Sequence, residues 1–225
     1  MKILLTGATG MAGSEALRQC LANPGVEHVT AITRKPLAVQ DKKLSVILHD
    51  NFLDYSSILN QLKGHDACLW CLGISQTEVT KEEYRVITLD YTIAAAKALL
   101  SVSPGITFGF LSGQGSDPTG KRKILFAQVK GETENRLSAL PLNRLYIYRP
   151  GYIHPMVPRE ANSTYSWGER LVGPLYPMLF KRLPKYVINS IILARAMLYV
   201  VAHGYQKRVL ENIDLRTIAD EHHLA

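Results

Sequence analysis

The stretch that decides the fold is Thr6-Gly7-Ala8-Thr9-Gly10-Met11-Ala12-Gly13. It follows a short apolar run, Ile3–Thr6, and it opens an alanine-rich segment with helical spacing. A glycine turn between a strand and a helix can hold a pyrophosphate, because the first main-chain N–H groups of the helix and the helix dipole both favour an anion there. The turn therefore predicts a nucleotide site.

The three glycines of the turn have separate predicted roles. Gly7 permits the tight turn, Gly10 lets the main chain approach the phosphates, and Gly13 lets the helix pack closely on the strand. Thr9 and Met11 belong to the same turn, and we expect them to line the cofactor site as well. A plain glycine turn without a ligand is the alternative interpretation.

Beyond the turn, apolar runs typical of strands alternate with segments that have helical spacing. The predicted strands are Ile3–Thr6, Val29–Thr33, Leu44–Leu48, Ala67–Cys71, Thr107–Leu111 and Leu145–Tyr148. The predicted helices are Met11–Ala22, Ser56–Leu62, Glu82–Leu100 and Leu125–Leu140. This alternation indicates parallel strands joined by crossover helices, so the predicted fold class is α/β with a doubly wound parallel sheet.

The pattern changes after Arg149-Pro150-Gly151. Prolines follow at 155, 158, 174, 177 and 184, then an apolar helix is predicted over Tyr186–Ala202 and a possible last strand at Arg208–Leu210. We predict a single domain over residues 1–225, in which residues 151–225 contribute a small lid over the carboxyl edge of the sheet. Apolar lid residues that would line a substrate pocket or cap the core are Trp167, Leu175, Met178 and Phe180.

Length and charge narrow the class of protein. The chain has 225 residues, of which 47% are hydrophobic, and its 26 Lys+Arg exceed its 19 Asp+Glu. A chain of this size buries roughly 70–75% of its unfolded surface, so it needs neither disulfides nor metal to hold a core. The basic residues occur in pairs and triplets without interleaved aromatics, so we expect no nucleic-acid partner.

Cysteine usage and hydropathy bear on location. The odd count of three cysteines, and a start without an apolar leader, predict reduced thiols and a cytoplasmic location. Cys68 and Cys71 lie in a predicted strand, where positions three apart point to opposite faces, so we expect core packing and no metal site. Asn189 and Arg195 interrupt the longest apolar segment, which falls short of the roughly 20 residues that a spanning helix needs.

Residues after the second and third strands bear on cofactor choice. The acidic residue expected about 20 positions after the glycine turn, which binds the ribose hydroxyls of NAD, is missing, and Arg34-Lys35 follow the second strand instead. A guanidinium binds a 2′-phosphate through charge-assisted hydrogen bonds, so we predict NADP in preference to NAD. Ordinary loop charges are the alternative. Asp50 and Asn51 are predicted on the adenine side, with helix capping as the alternative for Asp50.

These motifs resemble the short-chain dehydrogenase/reductase superfamily, in its extended and atypical divisions, whose members bind NAD(P) on a Rossmann fold. The likeness covers nearly the whole chain, and within the superfamily it is greatest to the small Tat-interacting oxidoreductase-like branch. The motifs that carry it are Thr6–Gly10, His49–Phe52, Cys71-Leu72-Gly73, Leu111-Ser112, Gln128–Glu132 and Tyr148–Gly151. The resemblance implies that Leu72, Gly73 and Pro150 also line the cofactor site.

The family's catalytic centre is Ser, Tyr and Lys, with the last two in a Tyr-x-x-x-Lys pattern on one helix face. Here the pattern runs from Phe126 to Lys130, so the phenol is absent while the lysine that would bind the nicotinamide ribose remains. Ser112 matches the catalytic serine, although Gly113 competes for that position. A positioned general acid contributes about 10²–10⁴-fold, so carbonyl reduction would need a substitute.

Two residues after the Arg-Pro-Gly stretch, Tyr152 and His154, are candidates for that substitute acid, with packing roles as the alternative. Two functions remain open. The first is an NADP(H)-binding oxidoreductase that acts on a small, partly apolar carbonyl or alcohol. The second is a catalytically silent NADP(H)-binding regulator or redox sensor that engages a protein partner. Asp90 and Tyr91, midway along the long predicted helix, suggest a homodimer.

Overall fold

A computed structural model describes residues 1–157 and 173–224 of the chain. The strands are β1 Lys2–Thr6, β2 His28–Thr33, β3 Leu44–Leu48, β4 Ala67–Trp70, β5 Thr107–Leu111, β6 Arg144–Arg149, β7 Tyr152–His154, β8 Val187–Asn189 and β9 Val209–Glu211. Seven of them form one sheet in the order β3-β2-β1-β4-β5-β6-β9, with every neighbouring pair parallel. The predicted doubly wound parallel sheet is confirmed.

Helices cover both faces of this sheet. They are α1 Met11–Ala22, α2 Lys81–Arg85, α3 Tyr91–Val102, α4 Leu125–Ser138, α5 Tyr176–Arg182, α6 Ser190–His203 and α7 Asn212–Glu221. One apolar layer joins the sheet to α1, α6 and α7, and the other joins it to α3 and α4. Cys68 belongs to the second layer and Cys71 packs against the first, so the two thiols point to opposite faces as expected.

The long helix predicted over Glu82–Leu100 runs from Lys81 to Val102 and contains a π-helical turn at Val86–Asp90, between α2 and α3. The Thr92 Oγ1 donates to the Thr88 carbonyl at 2.7 Å. The Thr133 Oγ1 of α4 donates to the Val129 carbonyl at 2.7 Å and lies 3.5 Å from the Thr88 carbonyl oxygen, so α4 contacts the widened turn. Ser56–Leu62, also predicted as a helix, forms a 3₁₀ helix. No described helix is both long and apolar enough to cross a membrane.

After β6, some elements form a small second sheet and others pack with the main sheet. β7 and β8 pair in parallel as a small second sheet, and α5 precedes β8, so this part lies apart from the main sheet. The apolar helix predicted from Tyr186 begins later, at Ser190, because Val187–Asn189 are extended as β8. The Asn189 Oδ1 then accepts a hydrogen bond of 2.7 Å from the Ile192 main-chain nitrogen and caps α6.

Part of the C-terminal segment packs with the main sheet. α6 and α7 pack into the main core, and β9 joins β6 at the edge of the main sheet. Of the apolar lid residues singled out from the sequence, Trp167 lies outside the described residues, as does Pro158. The remaining described elements, β7, β8 and α5, are called the lid below, after the prediction for residues 151–225.

Candidate functional site

The glycine turn between β1 and α1 has no space for a side chain at Gly7 or at Gly13. Gly7 has a φ of +71°, which favours glycine, and a Cβ there would lie 2.5 Å from the Cys71 carbonyl oxygen. A Cβ on Gly13 would lie 2.0 Å from the Gly7 carbonyl oxygen. Gly10 donates its main-chain N–H to that same oxygen at 2.8 Å. The turn therefore presents bare main chain at the start of α1, which fits the close approach of a pyrophosphate.

The structure places the predicted cofactor residues of the loops at the carboxyl ends of β1, β2, β3, β4 and β6. Arg34 and Lys35 follow β2, and both side chains are exposed without an ion pair or hydrogen bond to the described part of the chain. Asp50 and Asn51 follow β3 and are also exposed. The Asn51 Oδ1 accepts a 3.2 Å hydrogen bond from the Leu53 nitrogen, so this side chain shapes its own turn.

The remaining predicted cofactor residues of the loops follow β4 and β6. The Leu72 nitrogen donates to Thr6 Oγ1 at 3.3 Å, which ties the segment after β4 to the end of β1, and Gly73 next to it is exposed. Pro150 is buried, and its carbonyl accepts a 2.8 Å hydrogen bond from the Gln114 nitrogen. The carboxyl ends of parallel strands form one edge, so these residues share one side of the sheet with the glycine turn.

Lys130 lies on the buried face of α4 and points at the end of β5. Its Nζ donates to the Leu111 carbonyl at 2.8 Å and lies 4.7 Å from the centroid of the Phe110 ring. Burial lowers the pKa of Lys130 to about 8, because an ammonium loses solvation there. The lysine is therefore held beside the cofactor edge and changes charge near physiological pH.

We expect NADPH affinity to decrease between pH 7 and 9. The Lys130 pKa of about 8 means that the ammonium, a better donor to ribose hydroxyls than the neutral amine, is lost as pH rises through this range. Calorimetric titrations across this range should show the decrease in wild type and in Lys97→Met, an exposed control on α3. Lys130→Met should bind more weakly and with a flat profile. The same slope in Lys130→Met would exclude Lys130 as the source.

Ser112 is turned into a buried polar network. Its Oγ donates to Glu134 Oε1 at 2.5 Å, and Ser116 Oγ donates to the same oxygen at 2.7 Å. Arg149 binds both oxygens of Glu134 through Nε and Nη2, and its Nη1 donates to Glu211 Oε1 at 2.9 Å. The Ser112 hydroxyl thus holds a carboxylate in this structure. Sequence reasoning missed the network, although Lys130 and Glu134 are four residues apart on one helix and so share a face.

Phe126 occupies the space beside Gly113. A Cβ on Gly113 would lie 2.6 Å from the ring Cζ, 3.3 Å from Cε2 and 3.7 Å from Cε1, which places it beyond the ring tip and close to the long axis of the ring. A phenolic oxygen on Cζ would extend along the same axis towards the Gly113 main chain. Gln76 fixes the start of this helix, since its Oε1 accepts a 2.9 Å hydrogen bond from the Phe126 nitrogen. The phenyl ring therefore fills the place of any side chain at position 113.

Tyr152 and His154 lie in β7 of the lid sheet. The His154 ring stacks on Tyr176 with a centroid distance of 3.8 Å and an interplanar angle of 10°. The Tyr176 hydroxyl accepts a 3.1 Å hydrogen bond from Asn189 Nδ2 and so links α5 to β8. His154 thus contributes to lid packing, and the acid role of either residue stays a prediction.

Comparison with known proteins identifies a family and several relatives. A model of the NAD(P)H-binding family matches residues 7–118. The leucinostatins biosynthesis cluster protein T of Purpureocillium lilacinum is 34% identical over 159 residues, and the match covers 68% of this chain but only 58% of that protein. Protein HTATIP2 of Rattus norvegicus is 26% identical over 220 residues, which cover 93% of this chain and 86% of that protein.

The relatives correct one prediction. Proteins named FMP52, mitochondrial, from Candida albicans and Kluyveromyces lactis are 24% and 28% identical over 191 and 171 residues. The cytoplasmic location predicted for this chain is therefore wrong. Cysteine usage does not separate the compartments that keep thiols reduced.

A solved structure shares the fold of this chain. An oxidoreductase of the short-chain dehydrogenase/reductase family from Burkholderia thailandensis superposes with a TM-score of 0.71 at 16% identity, over 100% of this chain and 97% of that chain, which shows a shared fold. Residues 7–118 match the NAD(P)H-binding family, and the parallel sheet with its glycine turn is a Rossmann-like fold of the kind found in a short-chain dehydrogenase/reductase.

Proposed function

We propose that this protein binds NADP(H) along the carboxyl edge of its sheet and acts as an oxidoreductase on a small, partly apolar carbonyl or alcohol. The observation that carries the proposal is the turn at Gly7–Gly13, where main-chain atoms lie so close that no Cβ fits at Gly7 or Gly13. The start of α1 would hold the pyrophosphate, and Lys130 would hold the nicotinamide ribose. When bound, the cofactor supplies or accepts a hydride.

The preference for NADP rests on the charges after β2. Arg34 and Lys35 are exposed there, and neither side chain is engaged by the described residues. A 2′-phosphate carries a charge that a guanidinium binds through paired hydrogen bonds, whereas a carboxylate at this place would repel it. The two free cations therefore support NADP over NAD.

We expect Arg34→Ala to weaken NADPH binding about 10- to 100-fold and to leave NADH binding within about twofold. A hydrogen bond to a charged group contributes about 1.5–3 kcal/mol to binding. NADH has no 2′-phosphate, so the substitution removes no such hydrogen bond from its complex. Paired calorimetric titrations with both cofactors measure the difference. Lys42→Ala is the matched control, because it removes an exposed positive charge from the same connection between β2 and β3. Equal losses for NADPH and NADH in Arg34→Ala would exclude the 2′-phosphate role.

A second candidate, the catalytically silent NADP(H)-binding regulator, is favoured by the packing of Phe126 on Gly113. The ring fills the place where a catalytic hydroxyl on residue 113 would stand, and it carries no proton of its own to donate. Ser112, the other serine candidate, gives its hydroxyl proton to Glu134 in a hydrogen bond. The residues proposed to bind NADP(H) are thus retained, while the catalytic phenol is replaced by Phe126.

Turnover separates the two candidates. Purified protein would first be titrated with NADPH, and NADPH consumption would then be followed with a panel of small aldehydes, ketones and quinones. Turnover that is lost in Lys130→Met supports the oxidoreductase, and Tyr152→Phe and His154→Gln then test each substitute acid. Tight NADPH binding without turnover on any substrate supports the regulator. Failure to bind NADPH and NADH alike would reject both.

A further inference from the structure

The outer side of the lid is apolar. Leu175, Met178, Leu183 and Tyr186, in and around α5, are between 41% and 56% exposed. They occur within twelve residues of sequence, so they form a group and not the scattered single side chains that are normal on protein surfaces. An exposed group of large apolar side chains typically marks an interaction site.

The inner side of α5 is already occupied. Tyr176 stacks on the His154 ring, and the Phe180 ring lies 3.8 Å from the guanidinium carbon of Arg216. The Arg216 Nη1 also donates to the Phe180 carbonyl at 2.6 Å. Because these contacts fix the rotation of the helix, Met178 and its apolar neighbours cannot turn inward without breaking them.

Basic side chains surround the apolar group. Lys181, Arg182 and Lys185 are exposed within it, and Lys121-Arg122-Lys123 are exposed beside Ile124, which is itself 56% exposed. Over the described ranges, none of these six basic side chains forms an ion pair or a hydrogen bond. The positive charge of this region is therefore not neutralised by the parts of the protein that the structure describes.

Two contacts join these basic segments into one face. The Gln114 Nε2 donates to the Lys185 carbonyl at 3.0 Å, and a Cβ on Gly115, the next residue, would lie 3.6 Å from Arg122 Nη1. Asp117 contributes one negative charge beside Arg122, because the hydrogen bonds that its carboxylate accepts from Thr119 Oγ1 and the Arg122 nitrogen keep it ionised, so the six basic side chains still outnumber it. We call residues 121–124, 175–178 and 181–186 together the basic-apolar face.

We propose that the basic-apolar face docks on an anionic lipid surface. Lipid phosphates would neutralise the six basic side chains, and the apolar side chains of α5 would enter the boundary between headgroups and acyl chains. A bilayer accepts single side chains that project from a short helix, whereas a protein partner would need a shape that matches them. The charge and the projecting side chains together favour lipid as the partner.

Vesicle co-sedimentation tests the proposal with the full chain. We expect binding to phosphatidylcholine vesicles that contain one-third phosphatidylglycerol, and no binding to pure phosphatidylcholine. Binding should weaken steeply between low and high salt, because salt screens exposed charges. Equal binding to both vesicle types, or no binding to the anionic vesicles at low salt, would overturn the proposal; in the latter case an acidic protein partner would take its place.

Variants localise the contact. Lys181→Gln/Arg182→Gln should weaken binding about 30-fold, since each basic residue near an anionic surface contributes about a factor of five. Met178→Ser should weaken it about tenfold. The controls are Lys42→Gln/Lys63→Gln and Leu48→Ser, which change exposed residues elsewhere, Leu48 being 57% exposed on β3. Thermal melting followed by circular dichroism confirms that each variant folds, and losses as large in the controls would contradict this placement.

Discussion

Replacing Gly13 with alanine is expected to weaken NADPH binding about 100-fold and to lower the free energy of unfolding by about 2–3 kcal/mol. The new Cβ would lie 2.0 Å from the Gly7 carbonyl oxygen and 2.6 Å from the Gly7 carbonyl carbon. Both are main-chain atoms of the turn, so no flexible side chain can move aside. Relief requires α1 to shift away from the turn, and displacements of about 1 Å at a binding site cost on the order of 100-fold.

Two glycines provide matched controls for this prediction. A Cβ on Gly10 would lie 3.3 Å from the same Gly7 oxygen, so Gly10→Ala should destabilise the protein less than Gly13→Ala does. Gly105, before β5, has nothing within 4 Å of its Cβ position, so Gly105→Ala should leave binding unchanged. Urea unfolding and calorimetric titration with NADPH measure both quantities. Wild-type affinity in Gly13→Ala would contradict the role assigned to the turn.

The order of the main-sheet elements was predictable because the hydrophobic pattern changes period between strands and helices. The strands predicted at Leu44–Leu48 and Thr107–Leu111 have the bounds observed for β3 and β5. The lid was less predictable, because β7 and β8 have three residues each and lie beside prolines. Strands this short have no period to detect, and their pairing depends on residues 35 positions apart.

The shared edge of the predicted cofactor residues could be anticipated for a topological reason. Motifs that follow β1, β2, β3 and β4 must meet at one edge when the strands are parallel, so Gly7 and Arg34 could be placed on the same side without coordinates. The contact of Phe126 with Gly113 could not, because it joins α4 to the segment after β5. The spacing of residues within one helix or strand does not predict which side chain of a second element they contact.

Ser112 illustrates the same limit. Its place after β5 was correct, but the direction of its hydroxyl depends on Glu134, a residue 22 positions away. A motif match predicts where the serine lies in the chain. The hydrogen-bond partner of its hydroxyl depends on a carboxylate that lies outside the motif. The energetics of that carboxylate lead to the second large prediction.

Glu134→Ala is expected to lower the free energy of unfolding by about 3–5 kcal/mol, whereas Glu132→Ala on the same helix should lower it by less than about 1 kcal/mol. Both carboxylates bind arginine. Glu132 accepts from Arg85 and Arg136 at 2.7–2.8 Å on the surface of α4, where water and salt replace the lost partner. Glu134 is buried, so its removal leaves a partly buried guanidinium short of one counter-ion.

The decrease in the free energy of unfolding in Glu134→Ala depends on the remaining contacts of Arg149. Its Nη1 keeps Glu211 at 2.9 Å, so the guanidinium retains one ion pair in Glu134→Ala while Ser112 and Ser116 lose their acceptor. The double variant Glu134→Ala/Arg149→Ala should therefore be destabilised by less than the sum of the single variants, by about 0.5–3 kcal/mol. Urea unfolding of the wild type, the two single variants and the double variant measures this coupling. Strict additivity, or equal losses for Glu132→Ala and Glu134→Ala, would show that the buried pair contributes no more than a surface pair.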